Sequence, residues 1–200
     1  MPAEVEVKFR VFKKNLPQIM ATLESLMFLS AGVESIEDYF LAVERSKAGW
    51  NFTRLRDNGR YWLTVKDWVV DRQGNRVRRE EEREISGRKF RRLKSKSLFG
   101  YRKTRQNFKG IAFGGEMTVS LDTVKANNRD YCFIEAEMES EVDNSEQLRR
   151  KIKYWATLCF GVYKEAPPMM DFLIKHGMAL NISSPCSLPF SVPNRHLDIK

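Results

Sequence analysis

Residues 4–11 read Glu-Val-Glu-Val-Lys-Phe-Arg-Val, an unbroken alternation of charged and apolar side chains. A helix would scatter such a pattern around its circumference. A strand sorts it, with Val5, Val7, Phe9 and Val11 on one face and Glu4, Glu6, Lys8 and Arg10 on the other. The pattern recurs. Residues 50–56 and 60–69 flank Asp57-Asn58-Gly59, the composition of a tight hairpin turn. Residues 33–43 end in the strand-forming Tyr39-Phe40-Leu41. Further β runs fall at 76–85, 101–107, 116–122 and 131–138, with Gly110 and Gly114-Gly115 as turn points.

Helical spacing interrupts the strands. Asn15 and Pro17 open a helix carrying Ile19, Leu23, Leu26 and Met27, and Gly32 is expected to end that unit. Ser86 can cap a basic helix over 88–98, with Phe90, Leu93 and Leu98 as its apolar stripe and Gly100 closing it. Asn144-Ser145-Glu146 opens a helix over 145–160 that sets Leu148, Ile152, Trp155, Leu158 and Cys159 on one side and stops at Gly161. Pro167-Pro168 starts a last short helix reaching about Lys175. Pro, Ser and Asn dominate from Asn181 onward. The expected organisation is one domain over 1–180 and an irregular tail over 181–200.

The charges of the strands also sort by face. Arg54 and Arg56 share a side, as do Lys103 and Arg105, and Glu135 and Glu137. Lys66 aligns with Trp62 and Thr64, and Asp122 with Thr118 and Ser120. In 76–85 both sides are charged: Arg79, Glu81 and Arg83 line one, Arg78, Glu80, Glu82 and Glu84 the other. The apolar faces need cover, which the amphipathic helices supply. So many strands avoid open edges by curling toward a barrel. The expected fold is α+β, an antiparallel eight-stranded β-barrel or tunnel with helices packed outside. Charges inside a barrel are untenable without close pairing or a ligand. A polyanion with a divalent metal answers both signs, because Lys and Arg take phosphate oxygens and carboxylates hold a hard cation.

Composition narrows the partners. The chain has 200 residues, with 35 Lys and Arg against 26 Asp and Glu, a net charge of +9. The excess points to phosphate-rich ligands. Aromatics at 12% exclude a disordered chain. No window approaches the length of an apolar membrane span. The three cysteines, Cys132, Cys159 and Cys186, make neither a disulfide framework nor a zinc cluster. The N-terminus lacks the apolar core of a signal peptide, which leads to an expected cytoplasmic location. His176 and His196 lack metal-ligand spacing and are expected at the surface, and the basic run Arg88–Lys96 reads as a solvated helix face.

Glu4-Val5-Glu6-Val7-Lys8, Arg54-Leu55-Arg56, Lys66, the run Arg79–Glu84, Lys103-Thr104-Arg105, Asp122 and Glu135-Ala136-Glu137 follow one another along residues 4–137. In that order they resemble the CYTH superfamily, the triphosphate tunnel metalloenzymes, named for class IV adenylyl cyclases and thiamine triphosphatases. The resemblance implies a tunnel whose bases bind a triphosphate: Lys8, Arg54, Arg56, Lys66, Arg79, Arg83, Lys103 and Arg105. Arg10 lies beyond the opening motif, with a salt-bridged rim role open to it. The resemblance also implies that Glu4, Glu6, Asp122, Glu135 and Glu137 hold Mg²⁺ or Mn²⁺, with Glu81 expected beside them on the tunnel face and Glu4, Glu6 and Lys8 nearest the chemistry.

The implied function is metal-dependent hydrolysis of inorganic triphosphate, ATP or thiamine triphosphate. The alternative is a class IV adenylyl cyclase making cyclic AMP and pyrophosphate. A third reading is a non-catalytic module binding polyphosphate or RNA through helix 88–98. Only Met1-Pro2-Ala3 precedes the opening motif, without the His-Phe pair of the cyclases, and that favours hydrolysis. The expected partner is a triphosphate-containing small molecule rather than a membrane or nucleic acid, and a homodimer is left open.

Overall fold

The computed structural model describes residues 2–46, 49–70, 76–126, 128–141, 145–162 and 164–177. The eight strands are β1 (Pro2–Val11), β2 (Leu29–Arg45), β3 (Trp50–Asp57), β4 (Tyr61–Val70), β5 (Arg76–Glu84), β6 (Phe99–Ala112), β7 (Gly115–Ala126) and β8 (Arg129–Glu141). The helices are α1 (Leu16–Ser25), α2 (Gly87–Lys94), α3 (Ser145–Phe160) and α4 (Met169–Lys175). The expected tail 181–200 lies outside the described residues.

All eight strands join one antiparallel sheet in the order β1-β8-β7-β6-β2-β3-β4-β5. The fold is α+β, as the alternation requires. Among the described residues no ladder joins β1 to β5, so the sheet is open, a curved, tunnel-like sheet with a seam in place of a ring closed by hydrogen bonds.

The apolar rows of the sheet face outward, under helices. Val5, Val7 and Phe9 pack with Phe108, Val119, Leu121, Ile134 and Ala136, and with Ile19 and Leu23 of α1 and Ile152 and Ala156 of α3. On the other half of the same face, Leu55 and Leu63 pack under Phe90 of α2. The Ser86 hydroxyl accepts a 3.3 Å bond from the Lys89 N–H and caps α2.

The fourth helix differs. Phe133 stands opposite Arg10 in β1 and Asp122 in β7, so it shares the charged face. It packs edge-on against Phe172 of α4, 5.2 Å between ring centres. Met170 and Leu173 join Phe40, Tyr101 and Tyr131 there, and Trp50 Nε1 donates to Asp171 at 3.1 Å. Thus α1, α2 and α3 cover the outer face, while α4 fills one end of the inner one.

Two glycines act otherwise than their positions in sequence suggest. α1 ends at Ser25, its chain reversed by Met27 at φ 59°, and Gly32 lies within β2 beside a shift in register. Gly100 lies in β6 opposite Tyr39, where a Cβ would come within 2.6 Å of that ring and 2.9 Å of the Asp38 carbonyl. It lets β6 approach β2 and does not close α2. His176 is no surface residue standing alone: it packs between Tyr131 and Phe172, with Nδ1 3.2 Å from the Tyr131 hydroxyl.

Candidate phosphate and metal site

Residues paired across a ladder share a face. Lys8 stands opposite Glu135, and Glu135 opposite Ser120. Arg105 stands opposite both Asp122 and Glu34. Alternation then adds Glu6, Glu137, Lys103 and Asp38 to the same inner face, and β3 adds Arg54 and Arg56. β4 contributes Thr64 and Lys66.

The first half of the site is an ion network. Lys8 Nζ pairs with Glu135 and lies 3.3 Å from Glu6. Arg105 donates to Asp122 through Nε at 2.7 Å and Nη2 at 2.8 Å, and to Glu135 at 2.8 Å. Lys103 Nζ donates to Asp122 at 2.8 Å. Asp122 is fully buried and Glu135 nearly so. Burial penalises the charge on each carboxylate, but Lys8, Lys103 and Arg105 outweigh it and hold both below the usual range. Burial also opposes the Lys8 charge, and Glu135, Glu6 and Asp122 still hold its pKa above that of an ordinary lysine. Lys103 goes the other way. Burial, helped by Arg105 and Lys8, outweighs the pull of Asp122 and Glu135 and pushes it down to about 8.

The second half centres on Asp38, which the sequence reading left out. It is 0% exposed. Its two oxygens accept from Arg56 at 2.9 and 3.1 Å, and Oδ2 also accepts from the Tyr101 hydroxyl at 3.1 Å. Burial raises its pKa, but Arg54 and Arg56 win and keep it ionised. Arg54 is held more loosely. It lies 3.6 Å from Asp38 and donates to Thr64 at 3.5 Å, and its Nε is buried without a hydrogen-bond partner. A buried donor left unpaired costs about 1–3 kcal/mol, so this guanidinium is suited to an anion. A neutral chain continues the face, from Ser120 to Asn107 at 2.8 Å and from Asn107 to Glu34 at 2.6 Å.

The register of β5 decides between its two charged rows. Lys66 stands opposite Glu80, Thr64 opposite Glu82, and Trp62 opposite Glu84. Lys66 pairs with Glu80, and the Thr64 hydroxyl donates to Glu82 at 2.7 Å. Glu80, Glu82 and Glu84 therefore face inward. Arg79, Glu81 and Arg83, expected on the inner face, are on the outer one: Arg79 donates to Asp67 at 2.6 and 3.1 Å, and the Glu81 side chain is 72% exposed. The physical reason is a strand charged at every position from 78 to 84, which offers alternation no contrast to read.

The carboxylates suit a hard cation. Glu6 stands directly opposite Glu137, and Glu4 opposite Glu139, across β1 and β8. Like charges so placed repel across a ladder, and a divalent cation held by both would relieve that repulsion. The side chain of Glu4 lies outside the described residues. Among the described residues no three carboxylates converge into a ready metal-binding group. The oxygen-rich donor type fits Mg²⁺ or Mn²⁺, while Asp122 and Glu135 already serve the bases.

The model of the CYTH domain matches residues 2–158. A protein from Pyrococcus horikoshii has a similar structure, with a TM-score of 0.61 and 22% identity over 86% of this chain and 99% of its own. A candidate adenylate cyclase from Vibrio parahaemolyticus gives a TM-score of 0.62 and 17% identity, covering 86% of this chain and 97% of that one. A candidate adenylyl cyclase from Hippeastrum, described as having a dominant triphosphatase activity, gives 0.53 and 17%, covering 90% and 99%. No curated protein matches the sequence. No described helix is long and apolar enough to cross a membrane. Family match and strand-by-strand geometry coincide over the same residues, and the chain belongs to the CYTH domain family.

Proposed function

We propose that the protein hydrolyses a triphosphate on this inner face with a divalent cation. The observation that carries the reading is the meeting of the two halves: Lys8, Lys103 and Arg105 with Asp122 and Glu135, beside Arg54 and Arg56 with Asp38. Lys8, Arg54, Arg56, Lys66, Lys103 and Arg105 would bind phosphate oxygens. Glu4, Glu6 and Glu137 would hold Mg²⁺ or Mn²⁺, joined by Asp122 and Glu135 once phosphate takes over their basic partners. The cation's contribution is charge neutralisation and a more acidic bound water. The chain's own contribution is to orient the phosphates and stabilise the charge that moves to the leaving group. Arg54 supports this most directly, through its unpartnered Nε.

Hydrolysis needs no nucleoside pocket, and α4 already fills one end of the inner face with Met170, Phe172 and Leu173. Cyclisation needs a ribose hydroxyl held in line with the α-phosphorus. One panel tests the choice: inorganic triphosphate, ATP and thiamine triphosphate with Mg²⁺ or Mn²⁺, assayed for orthophosphate, pyrophosphate and cyclic AMP. Orthophosphate release that chelation abolishes is the expected result. Equal cyclic AMP and pyrophosphate from ATP, with no orthophosphate from any substrate, would establish the cyclase.

A further inference from the structure

The excess positive charge of this chain does not reside in its candidate site. Between Ile85 and Gly115 lie ten of the 35 basic residues and none of the 26 acidic ones, leaving the remainder of the chain one charge negative. Two of the ten, Lys103 and Arg105, face inward and are paired with Asp122. Five of them, Arg88, Lys89, Arg91, Arg92 and Lys96, belong to α2 and the turn after it. Among the described residues no carboxylate lies within ion-pair distance of these five. The nearby acid, Glu37, already accepts from Arg102 and Tyr39, and Lys94 lies 3.7 Å from it.

Stability asks for only part of this arrangement: Arg91, Arg92 and Lys94 lie in the last turn of α2, where cations suit the helix dipole. Like charges four apart within α2, Arg88 with Arg92, oppose helix formation. The first turn of α2 carries no acid, where one would help. The helix stands on its Ser86 cap and on Phe90, which packs against Tyr39 and Tyr61. Arg88, Arg91 and Arg92 are exposed, and at i, i+3 and i+4 they form one outward row, which Lys96 extends.

The surroundings select the partner. The apolar side of α2 is already used inside the protein, so it has no face left to enter a bilayer. No exposed aromatic side chain lies within residues 85–98 to stack on unpaired bases. What remains is a row of guanidinium forks, the group that matches phosphate oxygens. We propose that α2 docks on the phosphate backbone of a double-stranded nucleic acid, without reading its sequence.

The test uses the full chain and a fluorescent DNA duplex of about 20 base pairs, titrated by anisotropy from about 50 to 200 mM KCl. The wild type is expected to bind with a steep salt dependence. A triple Arg88→Gln, Arg91→Gln, Arg92→Gln variant should lose about 2.7 from the log–log slope, about 0.9 per phosphate contact. It should keep its circular dichroism and its triphosphate turnover, and excess inorganic triphosphate should not displace the duplex from the wild type. Unchanged binding by the folded variant would overturn the proposal. So would displacement by triphosphate, or wild-type binding to phosphatidylserine vesicles and not to the duplex.

Discussion

Asp38 grips Arg56 with both carboxylate oxygens, at 2.9 and 3.1 Å, in a position with no solvent exposure. The pair fixes the guanidinium plane from behind and leaves Arg54 the looser of the two arginines. Asp38→Asn should raise KM for triphosphate about tenfold, equivalent to ~1.4 kcal/mol, with a smaller change in kcat. Asp38→Ala strands two arginines and should lower stability by about 3–5 kcal/mol in urea unfolding. An unchanged KM in the Asn variant would show that the arginine needs no such support.

Glu82 and Glu81 are neighbours on opposite faces, so they test the β5 register directly. Glu82→Ala should lower kcat/KM by at least about tenfold, while Glu81→Ala, a surface change, should stay within about twofold. The reverse result would mean that the working sheet pairs β4 and β5 one residue out of the register described.

Glu6 and Glu137 face one another across β1 and β8. Mg²⁺ should therefore raise the melting temperature of the wild type, by mass action on the folded state. Glu137→Gln should shrink the Mg²⁺ response. A variant that still responds fully to the ion places the cation elsewhere.

Lys103 gives a pH signature. It ionises near 10.4 in an unfolded chain and at about 8 here, so between those values the folded state holds fewer protons. Its contribution to stability consequently rises with pH across that window and is a constant penalty below it. Phosphate binding has the opposite sense, because the anion favours the charged ammonium. KM for triphosphate should climb above pH 8 in the wild type and stay flat in Lys103→Arg, measured from about pH 7 to 9.5.

What the sequence disclosed followed contrast. β1 and β8 alternate cleanly, so Lys8, Glu135 and Glu137 could be assigned a face from periodicity alone, and the 145–160 helix could be bounded at both ends. β5 has no such contrast, and its inward row became readable only through Thr64 and Lys66. Asp38 is flanked by Glu37 and Tyr39 in a run that reads as an ordinary strand end. Its one signal was the alternate row it shares with Glu34, Ile36 and Phe40. α4 was legible as a helix, but seven residues do not say which side of a sheet they will cover. That was decided by Phe133 and Tyr131, aromatic side chains in a row otherwise charged.

The open seam has a consequence for solubility. A strand at the border of a sheet offers unpaired N–H and C=O groups to any other strand that meets it. Here both borders carry carboxylates on the same face, Glu4 and Glu6 ahead of Lys8 and Arg10 on β1 and Glu80, Glu82 and Glu84 on β5. Pairing either border in parallel and in register with a second copy of itself would set like charges side by side. The border carboxylates, Glu6 among those proposed to serve the cation, thus also work against in-register growth of the sheet, and a variant stripped of them would be expected to precipitate where the parent chain stays dispersed.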